Sequence, residues 1–368
     1  MNKTITALAI MMASFAANAS VLPETPVPFK SGTGAIDNDT VYIGLGSAGT
    51  AWYKLDTQAK DKKWKALAAF PGGPRDQATS AFIDGNLYVF GGIGKNSEGL
   101  TQVFNDVHKY NPKTNSWVKL MSHAPVGMAG HVTFVHNGKA YVTGGVNQNI
   151  FNGYFEDLNE AGKDQTAVDK INAHYFDKKA EDYFFNTFLL SFDPSTQQWS
   201  YAGESPWYGT AGAAVVNKGD KTWLINGEAK PGLRTDAVFE LDFTGNNLKW
   251  NKLAPVSSPD GVAGGFAGVS NDSLIFAGGA GFKGSRENYQ NGKNYAHEGL
   301  KKSYSADIHL WHNGKWDKSG ELSQGRAYGV SLPWNNSLLI IGGETAGGKA
   351  VTDSVLITVK DNKVTVQN

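Results

Sequence analysis

"LYVFGG" (87–92), followed by "VHKYNPKTNSWVKL" (107–120), sets a pattern that runs through the whole chain. An apolar run rich in aromatic and β-branched residues enters two glycines, and a second alternating segment carries a tryptophan. The run recurs as "VYIGLG" (41–46), "AYVTGG" (140–145), "TWLING" (222–227), "LIFAGG" (274–279) and "LLIIGG" (338–343). Asp84-Gly85, Asn137-Gly138 and Asn335-Asn336 precede three of these runs, and such pairs favour the left-handed dihedrals of a hairpin turn. From Trp64, Trp117, Trp199, Trp250 and Trp316, the first residue of the next pair lies 27, 27, 27, 28 and 26 positions on. The spacing predicts six successive units of four strands. One such sheet cannot bury both faces alone, so the units must stack around an axis. The expected fold is all-β, a six-bladed β-propeller.

These residues resemble the Kelch repeat, and the resemblance covers nearly all of the chain beyond the first twenty or so residues. The sixth unit departs from it, ending "VLITVKDNKVTVQN" (355–368) without a tryptophan. Its last hairpin should close the ring against the first blade, helped by "VLPETPVPF" (21–29). Two connections between glycine pair and second hairpin are long, at about 147–186 and 281–303. They share an offset within their blades and should emerge on one face of the disc. The first places Val168, Ile171 and Tyr175 at helical spacing, which predicts a partly helical insertion in blade 3, a lid beside the pore mouth.

With 34 acidic and 34 basic residues the chain is neutral, which argues against a nucleic-acid partner. The opening "MNKTITALAIMMASFAANAS" (1–20) carries Lys3, a short apolar run and Ala17-Asn18-Ala19. It reads as a signal peptide over 1–19, too short to span a bilayer, leaving 20–368 as one propeller domain in the periplasm with no membrane anchor. Without cysteine there are no disulfides, thiolate nucleophiles or Cys-ligated metals. "GLGSAG" (44–49) and "GAGFKG" (279–284) match a dinucleotide-binding spacing, but the first runs into a strand pattern, and propeller packing explains the glycines better. His309 and His312, three apart on a strand, should face opposite ways, so no metal site is expected.

"LINGEAKPGLR" (224–234) breaks the repeat by placing Glu228 after the pair and Arg234 six residues later. Equivalent repeat positions sit equivalently around the axis, so Ser47, Ile93, Val146, Glu228, Ala280 and Glu344 should open onto the central mouth. Arg75 and Arg326 each stand 16 residues before the first glycine of their own pair and are therefore equivalent, on blades 2 and 6. The chain has 30 lysines and only four arginines, the fourth being Arg286, so three arginines at the mouth suggest planar recognition of a carboxylate. The reading is a pocket for a small acidic sugar, with Arg75, Arg326 and Glu344 binding it. Glu228, held ionised beside a guanidinium, would accept a proton.

The leader, the six units, "INGEAKPGLR" (225–234) and the arginines of blades 2 and 6 together resemble the bacterial N-acetylneuraminate epimerases, the sialic acid mutarotases. The resemblance implies an isomerase that converts the α anomer of sialic acid to the β anomer, with Glu228 as proton acceptor and Arg234 as its essential neighbour. Ring opening and closure need a base, a proton source and a clamp, and no cofactor. A sialidase would carry S-x-D-x-G-x-x-W boxes, which are absent, and a copper oxidase on this fold would need a Cys–Tyr crosslink. The alternative is a non-catalytic sugar-binding Kelch propeller, which would need no glutamate in the mouth. A homodimer is compatible with the chain.

Overall fold

The computed structural model describes residues 21–368 apart from Asn246 and Pro259, so the expected signal peptide lies outside the described residues. Each repeat forms one four-stranded antiparallel sheet from a contiguous stretch: residues 33–66, 79–123, 131–204, 214–253, 266–321 and 330–367. The first strands of successive blades lie side by side around the axis, and Thr33–Asp37 of blade 1 adjoins Val330–Trp334 of blade 6. This is the six-bladed propeller that the repeat spacing predicts. Among the described residues no helix is long and apolar enough to cross a membrane.

The tryptophans fill the gaps between blades. Trp117 joins Trp52, Phe70 and Tyr110 between blades 1 and 2, and Trp316 joins Trp223, Ile225 and Phe276 between blades 4 and 5. Blade 6 lacks the tryptophan, and Val364 and Val366 take its place against Ile308 and Leu338. A four-stranded sheet thereby covers each face with its neighbour, which is why the units are stable only as a ring.

The glycine pairs hold neighbouring blades at close range. A Cβ on Gly91 would lie 2.3 Å from the Met128 carbonyl oxygen of the next blade, and one on Gly342 would lie 2.3 Å from that of Phe29. The second residue of each pair donates its N–H to that same carbonyl: Gly92 to Met128 at 2.6 Å, Gly279 to Arg326 at 2.8 Å, and Gly343 to Phe29 at 2.7 Å. In blade 4 the first residue is Asn226, at φ +60°. Asparagine is among the few side chains that tolerate the left-handed region.

Four of the blades follow the pair with a short two-stranded ribbon on one face of the disc, including Glu228–Lys230 with Leu233–Arg234 and Ala280–Phe282 with Lys302–Tyr304. Blade 3 instead inserts helices α1 (Gln148–Ala161) and α2 (Gln165–Phe176). Helix α2 contains the expected Val168, Ile171 and Tyr175. Helix α1 goes beyond the sequence reading: Asn147 caps it by accepting from the Ile150 N–H at 3.1 Å, and Ile150, Phe151 and Tyr154 pack inward. The blade 5 insertion holds α3 (Ser285–Gln290). The two insertions meet, with Phe176 stacked on Tyr295 at 4.9 Å and the Ala180 N–H donating to the Tyr289 hydroxyl at 2.9 Å.

Candidate active site

"EAKPGLR" (228–234) folds as a hairpin because Pro231 and Gly232 occupy its turn. Gly232 is at φ +80°, and a Cβ there would lie 1.7 Å from His297 Nδ1, so glycine is required twice over. Lys230 pairs with Leu233 and Glu228 with Arg234, with the register shifting between Glu228 and Lys230. The six-residue spacing thus makes glutamate and arginine cross-strand partners. Glu228 Oε1 forms an ion pair with Arg234 Nη1 and accepts the Gly232 N–H at 2.6 Å, and among the described residues no donor reaches Oε2. Arg234 also donates from Nε to the Ala280 carbonyl at 3.3 Å and from Nη2 to the Tyr328 hydroxyl at 3.4 Å. Burial opposes its charge, but Glu228 and Tyr328 outweigh that and raise its pKa further.

Both side chains line a cavity of about 530 Å³ at the mouth of the propeller, a size within the roughly 300–1,000 Å³ of small-molecule sites. Blades 2 and 3 contribute polar lining, with Gln77, Thr79 and His131, and the lid contributes Phe151, Tyr154, Phe155, Tyr175 and Phe176. His131 Nε2 meets the Thr79 hydroxyl at 2.6 Å, and burial pulls its pKa down to about 3, so the ring is neutral.

Glu344 reaches the cavity as expected, but its carboxylate is taken. Lys30 contacts Oε2 at 2.6 Å, while Lys302, at 2.5 Å, and the Tyr304 hydroxyl contact Oε1. Burial works against its ionisation, and these three donors outweigh it and hold the carboxyl at about 2. Its geometric role is to position Lys302, an exposed cation that lines the cavity and that sequence reasoning passed over. Lys302 and Tyr304 alternate along one strand and so present the same face. That two-residue period, at the end of a long insertion, was the signal available.

Arg75 and Arg326 require a correction. They are equivalent, as the shared offset implied, but both are buried inside blades and neither lines the cavity. Each donates from Nη1 to the carbonyl of the first glycine of its pair, Arg75 to Gly91 at 3.0 Å and Arg326 to Gly342 at 3.1 Å. Arg75 forms a two-point ion pair with Asp106 and lies 4.0 Å from the centre of the Phe104 ring, and Arg326 pairs with Asp353 at 2.7 Å. They brace blades and are not carboxylate clamps. Arg286 forks onto Asp236 at 3.1 and 2.9 Å.

Residues 22–366 match the family model described as N-acetylneuraminate epimerase. The chain belongs to that family. It is 98% identical over 368 residues to the N-acetylneuraminate epimerase of Escherichia coli (strain K12), with 100% of each chain covered. It is 97% identical over the same length to the epimerase of Shigella boydii serotype 4 (strain Sb227). A solved structure described as "Structure of YjhT" superposes with a TM-score of 0.94 at 98% identity, over 95% of this chain and 100% of that one.

In this member of the epimerase family the charged side chains that line the cavity are two cations, Arg234 and Lys302, and two carboxylates, Glu228 and Glu344. Lys30 pairs with Glu344 from outside the lining. Among the described residues no cluster of three or more His, Cys, Asp or Glu is placed to hold a metal.

Proposed function

We propose that this chain is an N-acetylneuraminate epimerase that interconverts the α and β anomers of sialic acid, with Glu228 as the base. One observation carries the reading: a glutamate with an unengaged oxygen, fixed by an arginine, stands in a cavity that Lys302 also lines. The sugar carboxylate pairs with Lys302, which Glu344 holds in place. Glu228 Oε2 takes the proton of the anomeric hydroxyl while the bond from the anomeric carbon to the ring oxygen breaks and the ring oxygen gains a proton. The open-chain carbonyl turns about its neighbouring bond, and reclosure on the other face returns the proton. Arg234 fixes Oε1, so Oε2 faces the substrate in one orientation. Lid aromatics keep bulk water from competing for these protons.

The test follows anomer signals by NMR after release of α-sialic acid from a sialoside. Glu228→Gln keeps the shape and should lose about 10²–10⁴-fold in rate. Arg234→Lys should lose most activity too, because a point charge cannot reproduce the planar fork. A parental rate in Glu228→Gln removes the base role. Periplasmic residence rests on the leader at 1–19 and is checked by cell fractionation, and a homodimer by sedimentation.

A further inference from the structure

The inner strands begin at a ring of six residues around the axis: Ser31, Gln77, Gly130, Gly212, Gly264 and Tyr328. All six border the cavity, and all have left-handed backbone with φ between +55° and +65°. Their backbones are hydrogen-bonded around the ring, with Ser31 donating to Tyr328, Tyr328 to Gly264 and Gly264 to Gly212, each at 2.8 Å. Glycine suits this conformation and occupies three of the positions. A tyrosine held there is uncommon, and such outliers concentrate at functional sites.

The surroundings of Tyr328 specify what it does. Its ring lies on Gly264, where a Cβ would come within 2.3 Å of the ring edge. Its oxygen accepts from Arg234 Nη2, and the other amino nitrogen of that guanidinium holds Glu228. Lys302 Nζ lies 5.4 Å from the centre of the ring. With the guanidinium donating to the phenol oxygen, the phenol's own proton is available, and among the described residues no acceptor takes it. Other proton carriers of the cavity are less suited. The Tyr154 hydroxyl donates to Asn172 at 2.8 Å, and His131 is neutral. Tyr175 also lines the cavity, but burial, with Tyr183 and Glu228 nearby, makes its phenol hold the proton more tightly than usual. Burial opposes the charge of Lys302, but Glu344 and Tyr328 outweigh it and make the ammonium hold its proton more tightly than usual.

We infer that Tyr328 is the acid that complements Glu228, an inference that rests on the epimerase reading. As Glu228 removes the proton of the anomeric hydroxyl, its oxygen becomes the carbonyl. The electron pair of the breaking bond goes to the ring oxygen, which takes the phenolic proton of Tyr328. The phenolate formed is stabilised by Arg234 and Lys302. On reclosure the substrate hydroxyl returns its proton to Tyr328 and attacks the other face of the carbonyl, whose oxygen takes the proton from Glu228. Protons and charge balance over the cycle, and nothing beyond the sugar is consumed.

Tyr328→Phe removes only the hydroxyl. It should slow anomer exchange by about 10²-fold and leave the Kd for sialic acid near the parent value. Tyr328→Gly, which suits the left-handed backbone, should melt no lower than the parent and be at least as slow as Tyr328→Phe. A parental rate in Tyr328→Phe, or affinity lost in step with rate, overturns the acid role while leaving the epimerase reading intact. If the parent protein leaves exchange at the spontaneous rate, the epimerase reading itself fails, and the acid role with it.

Discussion

Arg75 places its guanidinium against Asp106, two glycine carbonyls and the rings of Phe70 and Phe104, with almost no surface exposed. Burial tends to raise the pKa of Asp106, but Arg75 outweighs it and holds the carboxyl below its ordinary value. Arg75→Met would leave that buried carboxylate with only Lys119, at 3.8 Å, as a charged partner, at a cost of about 3–5 kcal/mol. Denaturant unfolding should show the loss, while the Kd for sialic acid stays unchanged in the folded protein. A selective loss of affinity for sialic acid over a neutral analogue would restore the clamp reading. The contrast with Glu228 shows what was legible at this scale. Glu228 and Arg234 broke a repeat, and their spacing across a Pro-Gly turn brought them together. The offset of Arg75 and Arg326 gave their equivalence but not the direction of their side chains, which Asp106 and Asp353 decide. Tyr328 stands two residues beyond Arg326 in "QGRAYG" (324–329), and only the backbone ring reveals it as the one aromatic side chain at positions otherwise held by glycine, serine and glutamine.

At the scale of elements, Lys230 joins what the chain keeps far apart. It is fully buried beneath the lid, and its ammonium donates to the carbonyls of Phe176 at 2.9 Å, Asn294 at 2.5 Å and Lys178. One lysine thereby ties the end of α2 and the blade 5 insertion to the hairpin that carries Glu228. A cation also suits the C-terminal end of a helix, where free carbonyls gather. Lys230→Met keeps the apolar stem and removes the donors. It should loosen both insertions, raise protease cleavage within 177–182, and slow anomer exchange by about 10-fold or more through misplaced lid groups. The melting of the blades should change less than the protease sensitivity, since the lid packs as its own apolar cluster around Tyr175, Tyr183 and Phe185. Rapid cleavage of the parent and variant alike would remove the tether role. The spacing in α2 was readable from its stripe. Helix α1 was not read, because Gly153 and the surrounding asparagines obscure a pattern that its cap and its packing on Val103 sustain. The meeting of the two insertions depends on contacts across blades, to which no local pattern points.

For the whole molecule, closure of the ring is the structural problem, because blades 1 and 6 are each built from one contiguous stretch and share no strand. Closure is made by side-by-side packing and by the segment before blade 1. Phe29 is fully buried, pairs as an isolated bridge with Val351, and offers its carbonyl to Gly343, the link that completes the set of blade-to-blade bonds. Thr25 adds a bond from its N–H to the Thr352 carbonyl at 2.8 Å, and Leu22 joins the same apolar cluster as Val330 and Ile341. The repeat count announced a ring, and the missing tryptophan of the last unit announced that its closure is special, but which groups meet there follows only from the geometry of the disc. Phe29→Ala keeps the backbone bond and deletes the ring that fills the seam, a truncation that costs about 3–5 kcal/mol in a packed core. Unfolding in denaturant should report that loss as a lower midpoint with the cooperative transition preserved, because every blade depends on both neighbours. Anomer exchange measured well below the new midpoint should keep most of the parent rate, since the backbone bonds that set Lys30 beside Glu344 and Ser31 beside Tyr328 remain. A midpoint that does not move would mean that the packing of Thr33–Asp37 on Val330–Trp334 closes the ring without the N-terminal segment.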